Sequence, residues 1–371
     1  MSICLCRVSL AVPATMAVPA PPRINASSYV VMDFHSGKSL VEENAGQRVE
    51  PASLTKIMTV YITARELAAG HIHLADKVHI SEKAWRVSGS RMFIEVNREV
   101  TVEDLLHGVI IQSGNDSSVA IAEHIAGGEE VFAQMMNEQA QTLGMVNTHF
   151  VNSTGMPNPE HYTTARDLAL LAQALIRDHP DIYAIHSMKE FSFNGIKQVN
   201  RNTMLWRDPT VDGVKTGHTE SAGYCLVASA LRGDMRLISV VMGTEGENAR
   251  TNMTQSLLSY GFRYFETHKL YAAHQVVQSG RVWKGDRQAV DLGVNQDLYV
   301  TIPKGTYKQL NASVELEPTI IAPVNAGDVK GALKIKLEGQ ELINQPLVTQ
   351  QAVGPGSLLD RLTDDVKLLF E

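Results

Sequence analysis

The sequence has few of the features that mark several classes of protein. Only three of its 371 residues are cysteines, and two of them, Cys4 and Cys6, lie in the first few residues. Lys and Arg number 33 against 40 Asp and Glu, a net charge of −7. Nucleic acid is therefore not an expected partner, because proteins that bind it need a basic surface. No run of about 18 uncharged apolar residues occurs, so no membrane-spanning helix is predicted.

The sequence also lacks the common patterns for metals and phosphates. Its 13 histidines include His71, His73 and His79, but no His-Glu-x-x-His pair or cysteine cluster accompanies them. Neither of the two common glycine-rich phosphate loops is present. We expect no metal and no cofactor, and we interpret these histidines as surface or structural residues.

The N-terminus has the character of a targeting segment. Residues 1–20 are apolar with Arg7 as the one basic residue, and they end in Val18-Pro19-Ala20, small residues of the kind that precede a signal-peptidase cut. We predict a secretory signal over residues 1–20, after which Cys225 is the one remaining thiol. The alternative is a disordered N-terminal tail.

The remaining chain, of ordinary globular composition with 44% hydrophobic residues, alternates between strand and helix patterns. A hairpin over residues 28–45 and a second one around Arg232-Gly233-Asp234 predict an antiparallel sheet. Apolar residues at three- and four-residue spacing predict helices from Pro51 to Gly70 and over residues 102–111, 117–126, 131–143, 164–177 and 248–267. These elements predict a mixed α/β domain over residues 26–268, with an antiparallel sheet flanked by helices.

In the C-terminal part of the chain, the spacing between apolar residues changes. From about Lys269 apolar residues alternate with polar ones, as in Leu298, Val300 and Ile302, which predicts a small all-β domain over residues 269–353. Residues 357–371 then predict an amphipathic tail helix, with one apolar face made of Leu358, Leu362, Val366, Leu369 and Phe370.

Ser53 and Lys56 are the first candidates for catalysis. Residues i and i+3 share one face of a helix, so the Lys56 amine, if neutral, can accept the proton of the Ser53 hydroxyl. The first turn of a helix also offers a free backbone N–H and a positive dipole end for an oxyanion. Alone the pair is weak evidence, because such spacings also arise by chance.

Two further motifs follow in the chain. Ser113-Gly114-Asn115 falls between two predicted helices and offers a second hydroxyl and an amide, although these residues are also common turn formers. Lys215-Thr216-Gly217 offers a fixed positive charge, a hydroxyl for a carboxylate and a glycine beside which a substrate backbone can lie. Its alternative is a surface turn with a solvated lysine.

The three motifs in this order match, with Ser-Gly-Asn in the middle, a set found in penicillin-binding proteins and β-lactamases. Together with runs such as PASLTK, QVNRN, VDGVKTGHT and GFRYFET, they cover nearly the whole chain beyond about Asn25. The chain resembles the low-molecular-mass penicillin-binding proteins of the penicillin-binding protein 5 type, which are bacterial D-alanyl-D-alanine carboxypeptidases with a β-lactamase/transpeptidase-like fold.

The resemblance implies a role for each motif residue. Ser53 is the expected nucleophile and Lys56 its base, and Ser113 with Lys215 carries a proton to the departing D-alanine. Asn115, Thr216 and Gly217 are expected to position the peptide, and the backbone N–H groups of Ser53 and His218 to form the oxyanion hole. Two arginines are candidates for the terminal carboxylate, with a surface salt bridge as the alternative for each: Arg201 and Arg250.

The resemblance also implies substrate, partners and location. The expected substrate is a peptidoglycan stem peptide ending in D-Ala-D-Ala, β-lactams are expected to acylate Ser53, and the expected location is the periplasm, on the outer face of the inner membrane. The tail helix is the expected membrane contact, although the acidic residues of its polar side match anionic lipid poorly. Two other readings remain, a catalytically silent cell-wall-binding protein and a β-lactamase. A β-lactamase needs a glutamate that activates water, and Glu160 is the candidate in the sequence, although the resemblance gives it no such role.

Overall fold

The structure, a computed structural model, describes residues 18–370. All but the last three residues of the predicted signal segment, with Cys4 and Cys6, lie outside the described residues. The chain divides into two compact units, of which one comprises Pro21–Arg263 and the other includes the chain from Tyr264 onward.

Strands and helices alternate through the first unit, and strands dominate the second. The helices are α1 Lys56–Ala68, α2 Glu82–Arg86, α3 Val102–His107, α4 Asn115–Ala126, α5 Glu129–Thr142, α6 Ala165–Asp178, α7 Pro180–Tyr183, α8 Met204–Arg207, α9 Glu247–Tyr264 and α10 Leu358–Leu368. The strands are β1 Ser28–Asp33, β2 Ser39–Glu43, β3 Lys77–His79, β4 Glu99–Thr101, β5 Glu190–Phe193, β6 Ile196–Val199, β7 Val211–Thr219, β8 Gly223–Arg232, β9 Met235–Thr244, β10 Phe265–Tyr271, β11 Val276–Trp283, β12 Ala289–Gly293, β13 Leu298–Pro303, β14 Leu310–Leu316, β15 Ile320–Ile321, β16 Val329–Leu337 and β17 Gln340–Thr349.

A five-stranded antiparallel sheet forms the centre of the first unit, in the order β2-β1-β9-β8-β7. Strands β8 and β9 are buried on both faces, which explains their continuous apolar runs. Helix α6 packs on β1 and β9. On α9, a Cβ added to Gly261 would meet side chains of β9, β2 and β1, so this glycine lets α9 pack closely on the sheet. The predicted mixed α/β class is confirmed.

The helical part of the first unit surrounds α1. Residues 56–64 of α1 are all buried, and α1 contacts α4, α5 and α6. The helix predicted over residues 102–111 is two segments, because α3 passes at Gly108 into one π-helical turn that ends at Gln112. The helix predicted over residues 248–267 ends at Tyr264, since the next residues pair with β13 as strand β10.

The second unit is built on a six-stranded sheet in the order β14-β16-β17-β12-β11-β15. The alternating residues of the sequence lie on β13, β14 and β16, and inward-facing Leu333 and Ile335 are buried with Leu292 and Leu347. A capping box between Ser357 and Asp360 begins the tail helix α10, as the amphipathic pattern predicts. None of the described helices is long and apolar enough to cross a bilayer.

The turn that leads into α1 rests on a glycine from a distant loop. Ala52, beside Ser53, has a φ of +47° and Gly155 has a φ of +87°. A Cβ added to Gly155 would lie 1.8 Å from the carbonyl oxygen of Ala52. Only glycine fits here, because both the backbone conformation and the contact exclude a side chain.

Replacing Gly155 with alanine is therefore expected to destabilise the first unit more than the same change at Gly70. Gly70 also has a positive φ, of +73°, but nothing lies within 4 Å of its added Cβ. We expect Gly70→Ala to cost roughly 1 kcal/mol and Gly155→Ala more than about 3 kcal/mol, as measured by urea unfolding followed by circular dichroism. Equal losses in the two variants would contradict the close contact.

Candidate active site

Ser53 and Lys56 meet at the start of the buried helix α1. Ser53 lies in a 3-10 turn, Ala52–Thr55, and Lys56 is the first residue of α1. The Lys56 side chain is fully buried. Its Nζ lies 3.1 Å from Ser53 Oγ, 2.7 Å from Asn115 Oδ1 and 2.6 Å from the carbonyl oxygen of Thr154.

These contacts fix the direction of the Lys56 lone pair. Asn115 presents its oxygen to Lys56, since its Nδ2 donates to the carbonyl oxygen of Ser88 at 2.7 Å. A neutral amine has two N–H donors and one lone pair, and the oxygens of Asn115 and Thr154 can only accept. With both N–H groups engaged there, the lone pair faces the Ser53 hydroxyl, as proton abstraction requires.

The surroundings also favour the neutral amine. Burial, and to a smaller extent the positive charge of Arg201, lower the pKa of Lys56 to about 7, against an opposing effect of the negative charge of Asp116. Desolvation acts in this direction because an apolar interior penalises the charged form. Near neutral pH a large share of the enzyme therefore holds Lys56 as a base.

Ser113 and Lys215 form a second hydroxyl and amine pair. Ser113 directly follows the π-helical turn and has a φ of +63°. Lys215 of β7 donates to its Oγ at 2.9 Å. Both side chains are 3% exposed. Burial and the charge of Lys56 lower the pKa of Lys215 well below the usual range of a lysine.

Strand β7 forms one wall of a cavity of about 220 Å³ at the serine. A Cβ on Gly217 would lie 3.2 Å from Leu54 and from the carbonyl oxygen of Pro51, so glycine lets β7 approach the Ser53 turn. Seven of the ten predicted site residues line the cavity: Ser53, Ser113, Arg201, Thr216, Gly217, His218 and Arg250. The other three are linked to them by hydrogen bonds: Lys215 to Ser113, Lys56 to Ser53, and Asn115 to Lys56.

Both predicted arginines line this cavity. Arg250 is 4% exposed, and its hydrogen bonds to Gly217 and Glu247 are both long, at 3.4 Å. Arg201 is exposed, and among residues 18–370 no ion pair involves it. A surface salt bridge therefore does not account for Arg201, whereas Arg250 forms one, with a loose contact of 3.4 Å to Glu247. Both guanidinium groups line the cavity and can receive a carboxylate.

Sequence reasoning missed two buried polar residues close to the Ser53–Lys56 pair, which are Asp116 and His161. Asp116 follows Asn115 directly, and its carboxylate accepts the backbone N–H groups of Met92 and Phe93 at 3.0 and 2.9 Å. His161 lies 2.8 Å from the hydroxyl of Thr55, and burial lowers its pKa to about 4. Asp116 could have been found from its place in the motif, whereas nothing in the sequence singles out His161.

Glu160, the residue of the β-lactamase alternative, lies elsewhere. Its side chain is exposed and is not among those that line the cavity at Ser53. The structure therefore offers no support for Glu160 as a residue that activates water at this serine.

Comparisons with known proteins agree with this geometry. The sequence pattern of the D-alanyl-D-alanine carboxypeptidase family matches residues 15–246, and that of the penicillin-binding protein 5 C-terminal domain matches residues 265–355. The chain is 44% identical over 357 residues to the D-alanyl-D-alanine carboxypeptidase DacC of Escherichia coli, covering 94% of this chain and 89% of that protein. Penicillin-binding protein 5 from Haemophilus influenzae has a similar structure, with a TM-score of 0.88 and 44% identity over 91% of this chain and 99% of that chain.

A more distant relative, solved with ampicillin bound, shares the fold of part of the chain. It is penicillin-binding protein D2 from Listeria monocytogenes, with a TM-score of 0.60 and 30% identity over 64% of this chain and 98% of that one. Because these matches extend over most of its length, the chain belongs to the D-alanyl-D-alanine carboxypeptidase family.

Proposed function

We propose that this protein is a serine carboxypeptidase that removes the terminal D-alanine from peptidoglycan stem peptides. The observation that carries the proposal is the fully buried Lys56 amine, 3.1 Å from Ser53 Oγ and held by two carbonyl acceptors. An activated serine of this kind forms acyl-enzymes. Family membership supports D-Ala-D-Ala as the bond that is cleaved.

The first half of the reaction forms the acyl-enzyme. Ser53 Oγ attacks the carbonyl carbon of the penultimate D-alanine and its proton passes to Lys56 Nζ. The backbone N–H groups of Ser53 and His218 stabilise the oxyanion. The C–N bond then breaks, and the leaving nitrogen takes a proton through the Ser113 hydroxyl, which Lys215 contacts.

The second half frees the shortened peptide. A water molecule attacks the ester carbon, its proton returns through the same groups, and the bond to Ser53 Oγ breaks. Asn115, Thr216 and Gly217 position the peptide throughout. Penicillins acylate the same serine, because their strained amide presents an equivalent carbonyl carbon to it.

Electrostatics favours a substrate that ends in a carboxylate. Two guanidinium groups, those of Arg201 and Arg250, line the cavity, and Glu247 is the one acidic side chain among its lining residues, so the lining has an excess of positive charge. An uncompensated positive charge in a partly desolvated site attracts an anion. The two arginines and Thr216 therefore receive the terminal carboxylate.

Replacing the nucleophile gives the direct test. In Ser53→Ala we expect D-alanine release from a diacyl-Lys-D-Ala-D-Ala peptide to fall by at least about 1000-fold, and covalent labelling by a fluorescent penicillin to vanish. Ser90→Ala, at another hydroxyl that lines the cavity, is expected to keep the label. Label retained in Ser53→Ala would contradict the nucleophile assignment, and a labelled wild type without D-alanine release would favour a wall-binding protein.

We propose that the catalytic domain comprises residues 26–268 and that the β-rich domain comprises residues 269–353.

We also propose that the tail helix of residues 357–371 attaches the protein to the outer face of the inner membrane. The carboxylate of Asp364 accepts the backbone N–H of Lys284 at 2.7 Å, and Asp365 forms an ion pair with the Lys284 amine. These acidic residues are therefore engaged with the β-rich domain.

The apolar side chains of the tail helix face solvent instead. Between 58% and 86% of each is exposed, and they are Leu358, Leu359, Leu362, Val366, Leu369 and Phe370. Such a face suits the interface of a bilayer. Because Asp364 and Asp365 pair with Lys284, repulsion from lipid phosphates is smaller than their charges alone suggest.

The tail is tested with vesicles of zwitterionic phosphatidylcholine. Burying two aliphatic side chains contributes about 3 kcal/mol, so we expect Leu362→Gln/Val366→Gln to bind vesicles about 100-fold more weakly in a sedimentation assay. The control is Val146→Gln/Val329→Gln, which removes two apolar side chains of 79% and 59% exposure elsewhere. Equal binding by the two double variants would contradict membrane attachment through α10.

A further inference from the structure

Glu247, the first residue of α9, lies at the same cavity as the serine. It lines this cavity together with Ser53 and Thr216, and its Oε1 lies 3.4 Å from the guanidinium of Arg250. The Glu247 side chain is 67% exposed. The proposed reaction gives this acid no role, although it stands beside a proposed receptor of the terminal carboxylate.

The contact between Glu247 and Arg250 is long, and only Arg250 is also held by other groups. Charge-assisted N–H···O bonds are usually about 2.7–2.9 Å long, so 3.4 Å marks a loose pair. Arg250 is buried and held also by Gly217 and by the ring of Tyr224. The mobile partner is therefore Glu247, which can turn toward solvent when another anion approaches Arg250.

A carboxylate at this place affects the substrate in two ways. It competes with the terminal carboxylate of the peptide for the same guanidinium. It also adds negative charge where the side chain of the terminal residue lies, since that side chain and the terminal carboxylate share one α-carbon. A second negative charge on the terminal residue would then be repelled, and a positive one attracted.

We propose that Glu247 is a specificity-determining residue, which selects against peptides whose terminal D-residue is acidic and accepts those whose terminal D-residue is neutral or cationic. The inference rests on the proposed carboxypeptidase function. The competing explanation is structural, because an acid in the first turn of a helix and an i, i+3 ion pair both stabilise the helix. That role would affect stability and leave the choice of substrate unchanged.

The experiment compares three diacyl-Lys-D-Ala-D-Xaa peptides in which Xaa is Ala, Lys or Glu. In Glu247→Gln we expect the kcat/KM for the D-Glu peptide, relative to the D-Ala peptide, to rise about two- to five-fold. The KM for the D-Ala peptide should fall by a similar factor with little change in kcat, since the loss of a competing anion acts on binding. The relative kcat/KM for the D-Lys peptide should fall.

Glu245→Gln is the matched control, because Glu245 lies two residues earlier, is exposed and does not line the cavity. We expect it to leave all three ratios unchanged. Unchanged ratios in Glu247→Gln, with or without a lower melting temperature, would overturn the inference, as would equal changes in both variants. A wild type that releases nothing from the D-Ala peptide would instead contradict the carboxypeptidase function itself, and this inference with it.

Discussion

The account depends on one constraint, the burial of an amine that must be neutral to act. Lys56 has no exposed surface, and its hydrogen-bond partners other than Ser53 are the oxygens of Asn115 and Thr154. A buried ammonium is costly, and losing its proton relieves that cost. Packing therefore contributes directly to the chemistry, because the burial of α1 in the core also allows its first residue, Lys56, to act as a base.

Several distant parts of the chain meet to keep this arrangement. Helix α4 supplies Asn115, and the loop that includes Thr154 and Gly155 contacts the backbone beside the serine. Strand β7 brings Lys215 to Ser113. Because the hydrogen bonds among these contacts join residues 59 to 102 positions apart, the site forms only when the whole first unit is folded.

Sequence reasoning found the parts of the site that have a fixed spacing or a motif. Ser53 and Lys56 share a helical turn, and Ser113 and Lys215 lie in short motifs, so residue types alone indicated them. The carbonyl oxygen of Thr154 could not be predicted, because a backbone acceptor has no sequence signature. The role of Glu247 depends on where α9 begins relative to β7, which is a tertiary property.

The fold was predictable to a similar degree. Periodicity found the hairpins and most helices, because apolar spacing reports which faces are buried. It placed the end of α9 three residues too late, since the strand that follows is defined by pairing with β13. The polar side of the tail helix was read from its charges alone, whereas the structure shows Asp364 and Asp365 bonded to Lys284.

The titration of Lys56 itself tests the central claim most directly. In protein labelled with 13C at the lysine Cε, the NMR signal of Lys56 can be assigned by its absence from Lys56→Arg. We expect its chemical shift to titrate with a midpoint near pH 7, because burial lowers the pKa of Lys56 to about 7. A midpoint at about pH 10, where an ordinary lysine titrates, would show that the amine stays charged at neutral pH and would contradict its role as the base.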